Sequence, residues 1–296
     1  MSGRKPDPCN HSSGPGTDIG IPAQPSSNLK TPSDMRTLLI CHHDDALDRE
    51  GLARWLASFS ELAGVVVIRE PRARALKRVR REFRRVGWLR FLDVLAFRLH
   101  YRFLRAAGDH AWAAARLDAL RARYTPVPAS VPVHETDSPN DPAAERFVRE
   151  ARPDLVLARC KFLLREGVFS VPRDGTFVLH PGICPEYRNA HGCFWALAND
   201  DPGRVGVTLL RIDRGVDTGP VFGYFGCDYD EARESHIVIQ YRCVLDNLDA
   251  IAAKLRDIHE GNAEPIDTSG RDSRAWGQPW LTRHLRRRRR VASGAA

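Results

Sequence analysis

The chain has 296 residues, 43% of them hydrophobic, and a formal net charge of +8, enough to bury a substantial core in one or two domains. No apolar run reaches the roughly 18 residues that cross a bilayer, and the N-terminus lacks the charged-then-apolar pattern of a secretory signal, so a cytoplasmic protein is expected. Seven scattered cysteines (Cys9, Cys41, Cys160, Cys184, Cys193, Cys227, Cys243) with no Cys-x-x-Cys pair predict reduced thiols rather than a disulfide framework or a structural zinc.

Residues 1–34 are rich in Pro, Gly, Ser and Asp and carry almost no apolar periodicity. Too little apolar surface is available there to offset the entropy of ordering, and the segment is predicted to be disordered. The text changes at Arg36. Thr37–Cys41 is a short apolar strand, Leu47–Phe59 has helical spacing (Leu47, Leu52, Trp55, Leu56), and Ala63–Ile68 is a β-branched strand. Strand, helix and strand in that order predict a βαβ unit with a parallel sheet.

Residues 71–123 interrupt the rhythm and are predicted as a helical insertion. Its first part is basic and amphipathic (Leu76, Val79, Phe83, Val86), with nine basic residues against Glu82 between Arg72 and Arg90. Its second part is rich in aromatic and aliphatic residues (Trp88, Phe91, Leu92, Val94, Leu95, Phe97, Tyr101, Phe103, Leu104), a stripe assigned to the core. Strand and helix then alternate again: a strand at Val131–His134, a helix at Pro142–Ala151, a buried strand at Asp154–Ala158 and another at Gly175–Leu179 leading into His180. A β pair follows over Val205–Ile212 and Val221–Gly226, then one long helix from about Glu231 to His259. Residues 261–296 carry little pattern and end in the run Arg286–Arg290; they are predicted to be a disordered basic tail. Basic blocks of this kind could attract nucleic acid or anionic membrane, but the preferred account is a solvated helix face and a disordered tail. The domain expected from this pattern is an α/β unit over 35–260, Rossmann-like, with a mostly parallel twisted sheet and a helical insertion after the second strand.

The most specific text is His180-Pro-Gly-Ile-Cys-Pro-Glu-Tyr-Arg-Asn-Ala-His-Gly192 and, about 40 residues after His180, Gly215-Val-Asp-Thr-Gly-Pro220. It resembles the core of the folate-dependent formyltransferases, which reads Asn-x-His-x-x-x-x-Pro-x-Tyr-Arg-Gly followed by Asp-x-Gly-x-Asp-Thr-Gly. His180, Pro185, Tyr187, Arg188, Asp213, Gly215, Asp217, Thr218 and Gly219 match, as do the separation of the blocks and the apolar segment Phe194–Leu197 between them. The resemblance covers residues 150–228 well and the first βαβ unit in general terms.

Formyl transfer to an amine passes through a tetrahedral oxyanion and requires a proton acceptor, an oxyanion donor and a group that governs the imidazole. A histidine near neutrality suits proton transfer, and a carboxylate beside it favours the imidazolium. The resemblance implies His180 and Asp217 as the catalytic pair and 10-formyltetrahydrofolate as co-substrate, with no metal. It further implies that Arg159, Lys161, Phe162 and Leu163, with Gly206, Asp213 and Gly215, line the pterin pocket largely through backbone groups. Tyr187, Arg188, Asn189 and His191 are the candidate substrate-binding residues. For Arg188 the competing role is to pin its loop to a backbone carbonyl, and for His191 to start the following helix.

Two positions depart from the pattern. Val178 stands two residues before His180, where the family has an asparagine that donates to the oxyanion, and Asn189 stands where glycine is common. Three readings follow: a slow or repositioned formyltransferase acting on a small-molecule amine, related chemistry such as formyl-folate hydrolysis, or a catalytically impaired folate-binding protein. A tRNA acceptor ranks below a small-molecule amine, because the residues after Gly226 read as a helix and tail rather than a further β-barrel domain. No membrane partner is expected.

Cys41-His-His-Asp-Asp45, directly after the first strand, offers a second site. It faintly resembles the His-Pro-Asp-Asp-Glu segment of zinc-dependent sugar deacetylases, though His43 and Ala46 replace the proline and the glutamate. The simpler role for Asp44 or Asp45 is to cap the next helix.

Overall fold

A computed structural model describes residues 34–294. The disordered segment expected at 1–34 lies, apart from Asp34, outside the described residues. The chain forms β1 (Arg36–His42), a π-helical turn (Leu47–Leu52) running into α1 (Ala53–Ala57), and β2 (Glu61–Ile68). The insertion follows as α2 (Arg72–Leu104) and α3 (Ala106–Arg123). Next come β3 (Val133–Thr136), α4 (Pro142–Ala151), β4 (Leu155–Arg159), α5 (Glu166–Phe169), β5 (Gly175–Pro181) and α6 (Gly192–Ala198). The chain continues with β6 (Val207–Arg211), β7 (Val221–Phe225), α7 (His236–Leu245), α8 (Leu248–His259) and α9 (Leu281–Ala292).

The seven strands make one sheet in the order β3-β2-β1-β4-β5-β6-β7. The pairings from β3 to β5 are parallel, and β5–β6 and β6–β7 are antiparallel. This is the expected α/β class. The parallel strands read as continuous apolar runs because both faces are covered: Leu39, Cys41, Val65, Val67, Leu155 and Leu157 enter one buried cluster, and Leu38, Ile40, Val66, Ile68, Val156 and Ala158 the other. Local chemistry sets the helix starts. The Asp141 side chain accepts from Ala144 N at 2.7 Å with Pro142 at the first helical position, and Ser235 accepts from the N–H groups of Ile237 and Val238.

Four expectations are corrected. The stripe on α2 is only partly core: Val94 and Phe97 are buried, whereas Trp88, Leu92, Leu95, Phe103 and Leu104 are exposed. The long helix after Glu231 is two helices, α7 and α8, separated at Asp246 and Asn247. The tail is not disordered, since residues 281–292 form α9. Its Arg287 is buried against Glu231 and Asp200, with contacts of 2.8 and 2.9 Å. Cys227 and Cys243 form a disulfide instead of remaining thiols, joining the end of the sheet to α7. Among the described residues no helix is long and apolar enough to cross a membrane.

Candidate active site

β5 ends in Leu179-His180-Pro181, beside β4 and at the carboxyl edge of the parallel sheet, where open α/β sheets bind ligands. β6 leaves this edge and returns antiparallel, pairing Thr208 with His180 and Leu210 with Val178. The 212–220 link then begins beside the start of β5 and folds back along the sheet, so that Asp217 reaches His180. The two are 3.4 Å apart, His180 Nδ1 to Asp217 Oδ2.

His180 is 3% exposed. Its Nε2 lies 2.8 Å from the Tyr187 carbonyl oxygen. A carbonyl only accepts, so Nε2 carries the proton and donates, leaving Nδ1 turned to Asp217. The Asp217 Oδ2 also accepts from the Asn189 backbone N–H at 2.8 Å. The turn that presents Asp217 is built by Asp213, whose Oδ1 accepts from Gly215 N at 2.9 Å and from the Thr218 hydroxyl at 2.8 Å. A Cβ at Gly219 would strike the Arg211 carbonyl oxygen, which explains the glycine there. Asn189, His191 and Asp217 all have positive φ (80, 54 and 51°). Strained residues of this kind persist only where the surroundings hold them, and functional sites are where they gather.

The surroundings include a segment without an obvious pattern in the sequence. Residues 271–277 lie along the 183–191 loop and clamp it. Arg274 N donates to the Pro185 carbonyl at 3.1 Å, Arg188 N to the Arg274 carbonyl at 3.0 Å and Trp276 N to the Arg188 carbonyl at 2.9 Å. The Trp276 indole N–H donates to the Glu186 carbonyl at 2.9 Å, and Arg271 grips the Glu186 carboxylate through two bonds of 2.9 and 2.8 Å. The Trp276 ring stacks on Trp195 (4.7 Å between centroids, 25°) and on Tyr187 (5.7 Å, 15°). The density of aromatic residues in Arg274-Ala-Trp-Gly-Gln-Pro-Trp280 was the available signal.

The candidate residues divide accordingly. His180, Asp217, Tyr187, Arg188 and Asn189 come together. Tyr187 and Arg188, expected to hold substrate, are engaged by the protein itself: the Tyr187 hydroxyl donates to Asp201 at 2.9 Å and the Arg188 guanidinium to the Val216 carbonyl at 2.8 Å. The Asn189 amide donates to the Trp276 carbonyl. His191 precedes α6 and faces another way, into a cavity of about 210 Å³ lined also by Val94, Phe97, Tyr101, His236 and Gln278. Burial, with Lys161 and Arg98 nearby, lowers its imidazole to about 4.

Of the residues expected to line a pterin pocket, Arg159 turns into the protein, where its guanidinium meets Asp48 at 3.0 Å and the Leu179 carbonyl at 2.7 Å. Phe162 is buried, whereas Lys161 and Leu163 are exposed at the end of β4, one strand from His180. Gly206 accepts from Gly182 N at 2.7 Å, holding the loop after β5 to the start of β6. Val178 lies on the same face of β5 as His180 and packs with Cys184, Leu210 and Val221, so its side chain offers no donor.

The segment after β1 has other work. The His42 Nε2 accepts from Lys161 N at 3.0 Å, across the β1/β4 junction where the strand order reverses. Asp45 accepts from Asp48 N at 3.1 Å, the capping role, and from the Tyr241 hydroxyl. Elsewhere Asp154, Asp174 and His259 converge. They lie at the opposite end of β4 and β5 from His180, and Arg173 contacts both carboxylates at 3.2 and 2.9 Å.

Comparison with known proteins places this site in context. The formyl transferase family profile matches residues 111–236, which include both His180 and Asp217. A methionyl-tRNA formyltransferase from Chlorobium chlorochromatii is 33% identical over 107 residues, 36% of this chain and 34% of that protein. A methionyl-tRNA formyltransferase from Bacteroides thetaiotaomicron is 30% identical over 142 residues, 44% of each chain. The matched segment thus spans less than half the length of these relatives. Among solved structures, glycinamide ribonucleotide transformylase 1 from Symbiobacterium toebii aligns with a TM-score of 0.49 at 15% identity, covering 79% of this chain and 95% of that one. Over residues 111–236, which carry both His180 and Asp217, the chain is thus similar to the formyl transferase family.

Proposed function

We propose that the protein transfers the formyl group of 10-formyltetrahydrofolate to an amine on a small molecule, with His180 and Asp217 as the catalytic pair and no metal. The observation that carries this reading is the buried His180 held by the Tyr187 carbonyl with Nδ1 facing Asp217. The amine nitrogen attacks the formyl carbon and the carbon–nitrogen bond to the folate breaks. His180 Nδ1 takes the proton of the attacking amine, the imidazolium so formed faces the Asp217 carboxylate, and it returns that proton to the folate nitrogen as the nitrogen departs. The carboxyl ends of β4 and β5, with Lys161, Leu163 and the Asp213–Gly219 turn, are the proposed pterin site.

The charge on the formyl oxygen must be met without an amide at position 178, and the Asn189 amide is already bonded to Trp276. The missing donor is expected to cost about 10²–10³ in rate by analogy with lost oxyanion donors elsewhere. The apolar packing of Val178 supports a second reading: a folate-binding protein of the same family in which catalysis is impaired.

Titration of the purified protein with 10-formyltetrahydrofolate, followed by a panel of amines, tests the proposal. Saturable binding with amine-dependent release of tetrahydrofolate supports the transferase. Tetrahydrofolate release without amine identifies a hydrolase, and binding without turnover the impaired protein. An absence of binding removes the folate assignment.

A further inference from the structure

After Gly87, α2 carries two apolar stripes on opposite sides, with Leu89 and Leu104 also exposed but off the outward stripe. Val94, Phe97 and Tyr101 face inwards. Trp88, Leu92, Leu95, Leu99 and Phe103 are spaced by four, three, four and four residues, which sets all five on the opposite face. They are 63, 54, 42, 48 and 75% exposed. Leu76 and Phe83, before the break at Gly87 (φ 75°), are 54 and 46% exposed. Of the 14 large apolar side chains exposed among the described residues, nine lie on α2. Single exposed leucines are ordinary in globular proteins, but a contiguous row marks a contact surface.

Eight Arg and Lys residues lie on the part of α2 before the break at Gly87 and three on the part that carries the apolar row, against Glu82 and Asp93. Both acids are already engaged, Glu82 with Arg85 at 2.6 Å and Asp93 with the Thr282 N–H at 2.9 Å. Lys77, Arg80, Arg81, Arg84 and Arg102 have no carboxylate partner among the described residues, and all are exposed.

This combination selects the partner. A second copy would cover the apolar row but set two strongly cationic helices against each other. A nucleic acid would neutralise the arginines and leave the leucines in water. An anionic bilayer satisfies both, because apolar side chains enter the boundary between headgroups and acyl chains while flanking cations remain at the phosphates. We propose that α2 docks the protein on an anionic lipid surface, with the Trp88–Phe103 row inserted and Lys77, Arg80, Arg81, Arg84 and Arg102 on the headgroups. Attachment is peripheral, and it revises the sequence-based expectation of no membrane partner. The inference is independent of the proposed formyl transfer.

The test is co-sedimentation of the full chain with vesicles of phosphatidylcholine alone and of phosphatidylcholine mixed with phosphatidylglycerol. The protein is expected to partition at least about tenfold more strongly into the anionic vesicles and to be released as salt is raised. A triple variant, Leu92→Gln, Leu95→Gln and Leu99→Gln, alters only water-facing side chains and should keep the native circular dichroism spectrum while losing about tenfold or more in partition. Equal partition into both vesicle types overturns the proposal. So does an undiminished triple variant, or a dimer in sedimentation velocity that the triple variant dissolves.

Discussion

Trp276 holds Asn189 from near the far end of the chain. Its carbonyl accepts from the Asn189 side-chain amide, and the backbone N–H of the same asparagine donates to Asp217 at 2.8 Å. The position of the proposed catalytic carboxylate thus depends on a loop that the 271–277 segment keeps in place, with Trp276 wedged against Trp195 and Tyr187.

Replacing Trp276 by alanine should therefore loosen Asp217 as well as remove packing. The loss of two stacked pairs and a half-buried indole is expected to lower stability by about 2–4 kcal/mol. Turnover should fall by about tenfold or more, since small misplacements of a catalytic group are costly. Denaturant melts and steady-state kinetics check both. Trp276→Phe should keep most of the stacking and recover part of the rate, an outcome that a purely global loss of stability would not give.

Val178 supplies a test by gain. Val178→Asn places an amide on the His180 face of β5, two residues before the histidine, and should raise turnover by about tenfold or more if an oxyanion donor is what the site lacks. The amide would enter an apolar patch of Cys184, Leu210 and Val221, so a stability loss of about 1–3 kcal/mol is expected with it. Unchanged turnover in a folded variant would mean that the oxyanion is met by another group.

Acid should destabilise the fold through its histidines. His100, His236 and His284 lie around Phe97 at 5.6–6.5 Å between ring centroids, and His191 contacts His236 at 5.3 Å. Burial lowers all four, to about 4 for His191 and for His284 and well below 6.5 for His236. Arg98, Arg105, Arg288 and Lys161 add to the lowering. Folded values below the unfolded one mean that the unfolded chain binds more protons. The contribution is therefore present above pH 6.5 and lost as pH falls from there towards 4, on the order of 2 kcal/mol for His191 alone. Urea melts at pH 7.5 and pH 5 measure it, and His191→Gln should flatten the difference.

The parts of the fold that rest on local pattern were legible in the sequence. Thr37–Cys41 and Ala63–Ile68 read as strands of a parallel sheet from their apolar and β-branched runs, and Pro142–Ala151 read as a helix, whose start Asp141 and Pro142 hold in the structure. The approach of His180 to Asp217 also followed from the two motif blocks. What stayed hidden depends on long-range packing. Nothing near Trp276 in the sequence indicates that it stacks on Trp195, 81 positions earlier, or that Arg271 grips Glu186. Helical spacing alone likewise cannot tell the inward row of α2 from the outward one, since both are apolar and only tertiary contact distinguishes them.

The central claim is that His180 moves the proton of an attacking amine. The most direct measurement compares amine-dependent release of tetrahydrofolate by the unaltered protein and by His180→Ala, with 10-formyltetrahydrofolate binding measured on both. Binding should be retained within a few-fold while turnover falls by about 10²–10⁴. Turnover that survives the substitution in a folded protein would contradict it.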